Sequence, residues 1–431
     1  MALWDNIETD NGTAFVPLSE KETIGNEYHS NTAAALKLIS KILSFSKTEG
    51  AKSTETVRNL DKMLDEDFMS PFAGIQLQAK ARTQAELLRL SDKLSEQKKY
   101  KALKAKPVVG IGGMFSAGKS KFINSLLKAG EELLPEGLTP TTSIPTYIAG
   151  GVEDKINAYT VYNSEIDLTA KELQALTHKF YEKYGIGFSF FLKSIIITEP
   201  DMPYKDLVFL DTPGYNKPEG NPTFQSQKEL TDANKAYQQL RGTDYLIWLM
   251  DIENGVLINP DIEFIRKLDL GSEILIIVNK ADKKTEDDVK LVLDSVRETV
   301  KSVGIPIYGV CAYSSKDNRE YGNTGLIAKF LENAGKLQKS KDDIFEQVNG
   351  INSAISNELE EKKKNCAAMR NNLSDAIAPV NGIVDIMQIK TLAELYSESM
   401  EHFRELANCQ KKHKKNSARL TMKLEEYYKG E

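Results

Sequence analysis

One stretch, about a quarter of the way along the chain, constrains the fold more than any other. Residues 107–127 read PVVGIGGMFSAGKSKFINSLL, where an apolar run precedes the pattern G-x-x-x-x-G-K-S and apolar residues at helical spacing follow it. This order predicts a buried strand, a glycine-rich loop and a helix. Glycines allow successive backbone N–H groups to point at one phosphate, and a helix N-terminus adds partial positive charge. The stretch therefore predicts a phosphate-binding loop, for which the alternative is a glycine turn before an ordinary helix.

Two side chains of this loop have defined chemical roles in such a site. We expect Lys119 to reach the β- and γ-phosphates of a nucleotide and to act in catalysis, and Ser120 to ligate Mg²⁺ through its hydroxyl. The other residues of the stretch that we expect to contact the nucleotide are Gly113, Phe115, Ser116, Ala117, Gly118 and Lys121.

A second motif, DTPG, begins where the apolar run LVFL ends, and it contains Asp211 and Gly214. In a nucleotide switch, the Asp211 carboxylate would hold Mg²⁺ through a water molecule, and the Gly214 N–H would sense the γ-phosphate. The alternative is an ordinary turn from a strand into a loop. The phosphate-binding loop upstream favours the switch.

A third motif, NKAD, follows the apolar run ILIIV and indicates which base is bound. The Asp282 carboxylate can accept two hydrogen bonds from the N1–H and the 2-amino group of guanine, a pair that adenine does not supply. The stem of Lys280 would lie over the base, and Asn279 would tie this loop to the phosphate-binding loop. A capped turn and an ATP site are the alternatives, and Asp282 argues against ATP. The expected ligands are therefore GTP or GDP with Mg²⁺.

Two further loops contain candidate site residues. Thr141 and Thr142 lie between the helix of the phosphate-binding loop and the next predicted strand. We expect Thr142, which comes just before that strand, to close on Mg²⁺ in the GTP-bound state and to be catalytic; turn formation is the alternative role. Ser314, Ser315 and Lys316 follow the strand IPIYGV and are placed to contact the edge of guanine.

Composition and charge exclude several other functional classes. The chain has 431 residues and a net charge of −6, so we expect no nucleic-acid partner. Its three cysteines are far apart, which is typical of a reducing compartment, and its four histidines are scattered and expected on the solvated surface. The first residues, MALWDNIETDNG, carry acids and lack the apolar core of a signal peptide. We expect a cytoplasmic protein that can attach peripherally to the inner face of a membrane.

The alternation of strands and helices after residue 105 predicts an α/β fold. We expect residues 1–28 to form a loose tail. We expect residues 106–337 to form a P-loop GTPase domain with a mostly parallel sheet. Amphipathic helices within residues 29–105 and a long helical hairpin at residues 338–431 are expected to bury their apolar faces against each other in one helical bundle.

Two local expectations concern the α/β region. Residues 168–184 read as one helix because their apolar residues follow helical spacing. The aromatic cluster Phe188, Phe190 and Phe191 reads as buried core rather than as an exposed patch.

Together the motifs resemble those of the dynamin superfamily, in the form closest to the bacterial dynamin-like proteins. GMFSAGKS, TPTTSIPT, DTPG and NKAD occur in this order, and the resemblance covers about residues 106–333. It extends more loosely to the flanking helices, which would correspond to the family's neck and trunk. The resemblance implies a GTP-driven machine that dimerises or forms higher oligomers across its nucleotide pockets and often acts on membranes. It also implies that Ser116 positions the catalytic water or a charge-compensating cation.

The chain departs from that family pattern at two positions near the expected γ-phosphate. Phe115 stands where eukaryotic dynamins use a polar glutamine, and Tyr215 follows the DTPG glycine where a water-orienting amide would be useful. A phenol is a poor substitute for such an amide. We therefore predict a slow intrinsic rate of hydrolysis that a partner protomer raises.

Two functional readings are left open for such a domain. The first is a GTPase whose cycle drives association with, or remodelling of, an anionic membrane surface, and the second is a GTP-gated scaffold without lipid contact. The basic cluster of Lys411, Lys412, Lys414 and Lys415 could meet anionic lipid, although the sequence favours a solvated helix face. The apolar turn at residues 377–387 could enter a bilayer, although the sequence favours a buried end of the bundle.

Overall fold

The computed structural model describes residues 26–46, 59–60, 62–78, 80–99, 103, 106–127, 133–135, 144–161, 164–214, 233–268, 270–322, 325–337, 341–377 and 386–429. These residues form an α/β domain and a helical bundle. The bundle combines segments that precede the α/β domain in the chain with segments that follow it.

A ten-stranded sheet lies at the centre of the α/β domain in the described part of the chain. Its strands are β1 (Val108–Gly113), β2 (Thr146–Gly150), β3 (Lys155–Thr160), β4 (Glu165–Leu168), β5 (Leu192–Glu199), β6 (Val208–Asp211), β7 (Tyr245–Asp251), β8 (Ile274–Asn279), β9 (Ile307–Ser314) and β10 (Arg319–Tyr321). Their order in space is β10-β9-β8-β7-β1-β6-β2-β5-β3-β4. The two edge strands, β4 and β10, are short and were not expected from the sequence.

Parallel pairing brings several loops to one edge of the sheet. β1 pairs in parallel with β6 and with β7, and the pairs β7–β8 and β8–β9 are also parallel. The central strands are buried on both faces, which explains their continuous apolar sequences. The other half of the sheet mixes parallel and antiparallel pairs. The predicted α/β class with a mostly parallel sheet is confirmed, and the loops after these strands converge at their carboxyl ends.

Helices cover both faces of the sheet and form the bundle. The helices are α1 (Glu27–Ser30), α2 (Thr32–Ser46), α3 (Lys80–Lys99), α4 (Lys119–Leu126), α5 (Ala170–Ala175), α6 (His178–Tyr184), α7 (residues 233–240), α8 (Asn259–Leu268), α9 (Glu286–Val303), α10 (Leu326–Gly335), α11 (Lys341–Ile377) and α12 (Ile386–Lys429). Alternate residues of β7 enter apolar clusters on opposite faces: Ile247 and Leu249 belong to the cluster that includes residues of α2, α4 and α10, whereas Leu246 and Trp248 belong to the cluster that includes residues of α8 and α9.

Residues 168–184 do not form the single helix that the sequence predicts. Leu168 ends β4, and Thr169 begins α5 with a capping box. In this box the Glu172 N–H donates to Thr169 Oγ1 at 3.2 Å, and the Thr169 N–H donates to Glu172 Oε2 at 2.8 Å. Thr177 is extended, so the chain leaves helical conformation before α6 begins. The apolar spacing was correct, but it did not reveal the break between two short helices.

The aromatic cluster before β5 is only partly buried. Phe188 is buried, and its ring centroid lies 4.7 Å from that of Phe180. Phe190 is 75% exposed, and Phe191 is half-buried. A short 3₁₀ turn at Phe188–Phe190 gives the neighbouring side chains different directions. The prediction of a uniformly buried cluster is therefore wrong for Phe190.

The first long helix, α2, packs on the sheet and not in the bundle. Its buried residues Leu38 and Ile42 belong to the same apolar cluster as β1. Lys41 Nζ forms an ion pair with Glu172 Oε2 of α5 at 2.8 Å. The prediction that the helices of residues 29–105 join the bundle is therefore wrong for α2. An amphipathic pattern shows that a helix needs an apolar partner, but it does not identify that partner.

The helical bundle consists of α3, α11, α12, Leu60 and residues 62–77. α11 and α12 run antiparallel, because Cys366 contacts Ser399 whereas Asn352 contacts His413. No helix in the described ranges is long and apolar enough to cross a membrane. The bundle core contains apolar residues from both ends of the chain: Leu60, Met63, Leu64, Phe68, Phe72, Leu87, Leu90, Leu94, Ile344, Val348, Ile351, Ile355, Leu359, Leu406, Leu420, Leu424 and Tyr427.

His413 lies in the bundle core and not on the solvated surface where the sequence places it. It is 1% exposed, between the rings of Phe68 and Phe72, whose centroids are each 5.4 Å from that of the imidazole. Its Nδ1 has no hydrogen-bond partner among the described residues. Burial is the main cause that lowers the pKa of His413 below its usual value.

This histidine should make the stability of the bundle depend on pH. Because the folded-state pKa is lowered, the unfolded chain binds more protons, and the free energy of unfolding falls as the pH drops below about 6.5. We expect His413→Leu to abolish this dependence and to raise the free energy of unfolding by about 1 kcal/mol at neutral pH. Chemical denaturation of both proteins between about pH 5 and about pH 8 measures the effect. Equal pH profiles would contradict the prediction.

Candidate functional site

The loop between β1 and α4 has backbone conformations that its glycines permit. Gly113 has φ +140°, and a Cβ there would lie 2.2 Å from the Leu249 carbonyl oxygen. Gly118 has φ +86°, and a Cβ there would lie 2.5 Å from Asn279 Nδ2. Both positions therefore require glycine. The loop leads directly into the N-terminus of α4, where free backbone N–H groups favour an anion.

Lys119 is the buried cation of this loop. Its ammonium donates hydrogen bonds to the carbonyl oxygens of Gly113, at 3.2 Å, and Met114, at 3.1 Å. Burial lowers the pKa of Lys119 to about 8, and the nearby Asp211 carboxylate partly opposes this shift. The ammonium is thus held inside the loop, beside the place where phosphates would lie.

Nucleotide affinity is expected to fall as the pH rises above about 8, where free Lys119 loses its proton. Bound phosphate favours the charged ammonium and so raises the Lys119 pKa in the complex. Below this pH both states carry the proton and the affinity is constant. Above it, binding takes up a proton, and the affinity falls by up to about tenfold per pH unit. Fluorescent-GDP titrations from about pH 7 to about pH 9 measure the effect, and an unchanged affinity would contradict it.

Ser120 and Asp211 together form an oxygen-rich pair beside Lys119. The Ser120 hydroxyl donates to Asp211 Oδ2 at 2.7 Å, although the residues lie on different elements, α4 and β6. Mg²⁺ prefers hard oxygen ligands and commonly takes one or two from the protein, with phosphates and waters completing the shell. This donor set fits Mg²⁺, so Ser120 and Asp211 are the residues that would hold it directly or through water.

The DTPG segment lies directly against the phosphate-binding loop. A Cβ on Gly214 would come within 2.6 Å of Phe115 Cα and 3.0 Å of Lys119 Nζ. Thr212 is buried, and its hydroxyl donates to the Ile111 carbonyl at 2.8 Å, which fixes the segment to β1. The chain therefore brings the two motifs, about a hundred residues apart, into van der Waals contact.

Asn279 connects three loops at the carboxyl edge of the sheet. Its Nδ2 donates to the Ala117 carbonyl in the phosphate-binding loop at 2.9 Å. Its Oδ1 accepts from the Ser315 hydroxyl at 2.8 Å and from the Ser315 N–H at 3.3 Å. Since all of these groups are buried, the amide fixes the distance between the phosphate-binding loop and the base-binding loop.

The residues expected to read the base lie together. Asp282 is exposed, and its Oδ1 accepts from the Ser314 hydroxyl at 2.8 Å. Ser314 Oγ also accepts from the Asp317 N–H at 3.1 Å. Lys280 adopts a left-handed backbone conformation, with φ 63°. Lys316 is exposed at the end of this loop. Asp282 therefore faces the open side of the site with one oxygen already held by Ser314.

Three of the remaining candidate residues lie at or beyond the mouth of the phosphate-binding loop, and two lie outside the described residues. Ser116 is exposed at the mouth of the loop with φ 63°, and Phe115 is half-buried. Lys121 is exposed on α4, beyond the loop itself. Thr142 and Tyr215 lie outside the described residues, so their expected roles stay predictions.

One residue of this region was missed by the sequence analysis. Asp251 ends β7, and its Oδ2 forms an ion pair with Lys280 Nζ at 2.6 Å. The available signal was an acid directly after the apolar run YLIWLM, since the parallel pairing of β7 with β8 places Asp251 opposite Asn279.

Comparison with known proteins agrees with the motif reading. Residues 109–282 match the family model described as the Dynamin family. No curated protein matches the chain. Two similar solved structures come from an oligomerised bacterial dynamin pair described as a mechanism for long-range sensing and tethering of membranes. The first has 20% identity and a TM-score of 0.43, over 81% of this chain and 51% of that chain. The second has 19% identity and a TM-score of 0.42, over the same shares.

A further similar structure is Era in complex with MgGDPNP and a segment of 16S ribosomal RNA, at 18% identity and a TM-score of 0.32, over 52% of this chain and 56% of that chain. The chain thus spans about half the length of the bacterial dynamin chains that it resembles. The match over residues 109–282 includes the phosphate-binding loop, DTPG and NKAD. Residues 109–282, which contain all three nucleotide motifs, therefore match the family model of the Dynamin family.

Proposed function

We propose that this chain binds and hydrolyses GTP with Mg²⁺, and that its nucleotide state controls both self-association and the position of the helical bundle. The main supporting observation is the contact of Gly214 with the phosphate-binding loop, where an added Cβ would lie 3.0 Å from Lys119 Nζ. Any γ-phosphate that reaches Lys119 must also meet the Gly214 backbone. The site can therefore distinguish GTP from GDP by the position of DTPG.

The residues of the nucleotide site have separate roles in an in-line attack of water on the γ-phosphate. The Lys119 ammonium and the backbone N–H groups of the loop stabilise the charge that develops on the phosphate oxygens. Mg²⁺, when bound, would neutralise charge on the phosphate oxygens. Ser120 and Asp211 orient the metal side of the site, and Thr142 is proposed to complete it in the GTP state. Ser116, exposed at the mouth, is proposed to position the water or a compensating cation.

Self-association across the nucleotide site is the second part of the proposal. Ser116 is exposed and Phe115 is half-buried, so this rim of the site is open to another molecule. Neither Phe115 nor Tyr215 can orient water as an amide does. We expect the turnover per molecule to rise with protein concentration. Equal turnover across a wide dilution series would contradict association-dependent catalysis.

A direct contact links the GTPase domain to the bundle. Arg89 Nη2 of α3 donates to the Leu268 carbonyl at the end of α8, at 2.5 Å. α8 follows β7 in the chain, and Asp251, the last residue of β7, contacts Lys280. Movement of the base-binding loop would therefore reach the bundle through α8 and Arg89, which supports coupling between nucleotide state and bundle position.

Membrane association is proposed from the distal part of the helical hairpin. Residues 367–376 and 387–398 include no buried residue, because the other described parts of the bundle do not cover them. Met387 is 69% exposed there, and Met369 and Ile389 are also exposed. Acidic and basic residues nearly balance in these two ranges, so apolar contact rather than charge would dominate.

Liposome co-sedimentation tests this part of the proposal. The double variant Met387→Glu with Ile389→Glu should reduce GTP-dependent pelleting at least about fivefold, because charged side chains resist entry into an apolar layer. Met422→Glu is the matched control, since Met422 is an equally exposed methionine near the other end of α12. Equal losses in both variants would contradict a role for the distal hairpin.

A GTP-gated scaffold without lipid contact is the second candidate function. The exposure of Lys411, Lys412, Lys414 and Lys415 fits a solvated helix face as well as an anionic lipid surface. Vesicles with and without anionic lipid separate these roles, because only a lysine-mediated contact requires the anionic lipid. The scaffold is favoured if neither nucleotide state pellets with either vesicle while light scattering reports GTP-dependent assembly.

A further inference from the structure

The segment formed by the end of β7 and the turn after it holds the base-binding loop through a half-buried ion pair. Asp251 Oδ2 lies 2.6 Å from Lys280 Nζ, and the side chains are 15% and 29% exposed. The second oxygen of Asp251, Oδ1, accepts from the Glu253 N–H at 3.0 Å and so caps the short turn at Ile252–Asn254. Both oxygens of this carboxylate are therefore used, and the turn fixes its direction.

A second ion pair, nearer the solvent, joins the turn after β7 to the base-binding loop. Glu253 pairs with Lys283, which lies directly after Asp282 in the chain. The hydrogen bond that Lys283 donates to Glu253 is the main cause that raises the pKa of Lys283, and the charges of Asp251, Glu253 and Asp282 add to it. The two lysines on either side of Asp282 are thus paired with one acid at the end of β7 and one in the turn after it.

These pairs matter because a bound guanine would leave Asp282 little spare hydrogen-bonding capacity. Its Oδ1 already accepts from Ser314, and a guanine base would require two further acceptor positions. A free ammonium on Lys280, two residues away, would compete with the base for the same carboxylate. The Asp251 carboxylate removes that competitor by pairing with the Lys280 ammonium.

We propose that Asp251 is a positioning residue for guanine specificity, which acts by holding the Lys280 ammonium away from the Asp282 carboxylate. The inference rests on the proposed guanine-nucleotide site and adds a specificity-determining residue to it. It requires that loss of the Asp251 charge weakens recognition of the base and leaves recognition of the phosphates unchanged.

The test compares GDP with IDP, which lacks the 2-amino group and so makes one hydrogen bond fewer to Asp282. For the unaltered protein we expect GDP to bind at least about tenfold more tightly than IDP, as expected for one hydrogen bond to a charged group. In Asp251→Asn, which keeps an oxygen for the turn but loses the charge, this ratio should fall toward one. Pyrophosphate affinity should stay within about twofold, which also shows that the variant is folded.

Glu253→Gln is the matched control, because it removes the neighbouring ion pair between the turn after β7 and the base-binding loop. Lys283 is exposed, and water can solvate its ammonium, so the GDP-to-IDP ratio should change little. Asp251→Glu, which restores the charge, should recover a measurable part of the ratio. An unchanged ratio in Asp251→Asn, or equal losses in Asp251→Asn and Glu253→Gln, would overturn the inference. If the unaltered protein showed no preference for guanine over adenine nucleotides, the proposed function would fail instead.

Discussion

Lys119→Ala is expected to lower the affinity for GTP by about ten- to a hundredfold and kcat by about a hundred- to a thousandfold. Lys119 is buried and already points into its loop through two carbonyl contacts. A bound triphosphate would replace those neutral acceptors with charged oxygens, and the ammonium would gain most in the transition state. Among the described residues of the phosphate-binding loop, Lys119 has the only charged side chain that points into the loop, and alanine removes that charge.

The nucleotide-free Lys119→Ala protein should be at least as thermostable as the original. Burial disfavours the charged lysine, as its pKa of about 8 indicates, so the substitution removes an unfavourable term from the folded state. Calorimetric titration with GTP and single-turnover hydrolysis measure the two effects. Lys290→Ala, at an exposed position of α9, is the control for general loss of a lysine. Normal hydrolysis by Lys119→Ala would remove the basis of the proposed mechanism.

Asp282→Asn is expected to reduce the affinity for GTP by about a hundredfold or more and to raise that for xanthosine triphosphate. Ser314 donates to Oδ1 of Asp282, so an asparagine would keep its oxygen there and direct its amide N–H₂ toward the base. Guanine presents donors at this edge, and two donors facing each other are left unpaired. Xanthine presents a carbonyl at C2, which can accept a hydrogen bond from the new amide.

Competition binding with GTP, xanthosine triphosphate and pyrophosphate measures this change of specificity. Pyrophosphate affinity should be unchanged, because Asp282 contacts only the base in the proposed site. Asp287→Asn provides a control at an exposed position on α9, close in sequence but outside the site. An equal loss of affinity for all three ligands would indicate misfolding of the loop, and unaltered GTP affinity would contradict the assignment of Asp282.

The parts of the site that could be predicted from sequence are those coded by contiguous residues. The phosphate-binding loop, DTPG and NKAD each follow an apolar strand, and parallel strands bring their carboxyl ends to one edge. This rule alone predicts that Lys119, Asp211 and Asn279 lie close together. The fold class follows from the same alternation of strands and helices.

The features that the sequence could not reveal depend on which distant partner a residue finds. Helix α2 is amphipathic and could have packed on the bundle or on the sheet, and the pattern is the same in both cases. Asp251 is a single acid after a strand, and its pairing with Lys280 follows from the register of β7 against β8. Tertiary contact decides both cases: the helix pattern does not identify its partner, and the acid after the apolar run of β7 does not identify Lys280 as its partner.

His413 shows why a charge pattern can mislead at a single position. It lies within KKHKK, a segment that reads as fully solvated. An α-helix rotates by about 100° per residue, so the flanking lysines can point outward while the central residue points inward. The prediction of a solvated segment was correct for the four lysines, but it was wrong for His413.

The bundle joins parts of the chain that are synthesised far apart in time. The Tyr427 hydroxyl donates to the Leu94 carbonyl at 2.7 Å, across a separation of 333 residues. At about 5–20 residues per second, the ribosome needs roughly 17 to 67 s to make the intervening chain. During that interval Leu87, Leu90 and Leu94 of the nascent chain lack the C-terminal helices that cover them in the finished protein. The GTPase domain can fold in this period, whereas the apolar face of α3 gains its final cover only after the C-terminal helices have been made.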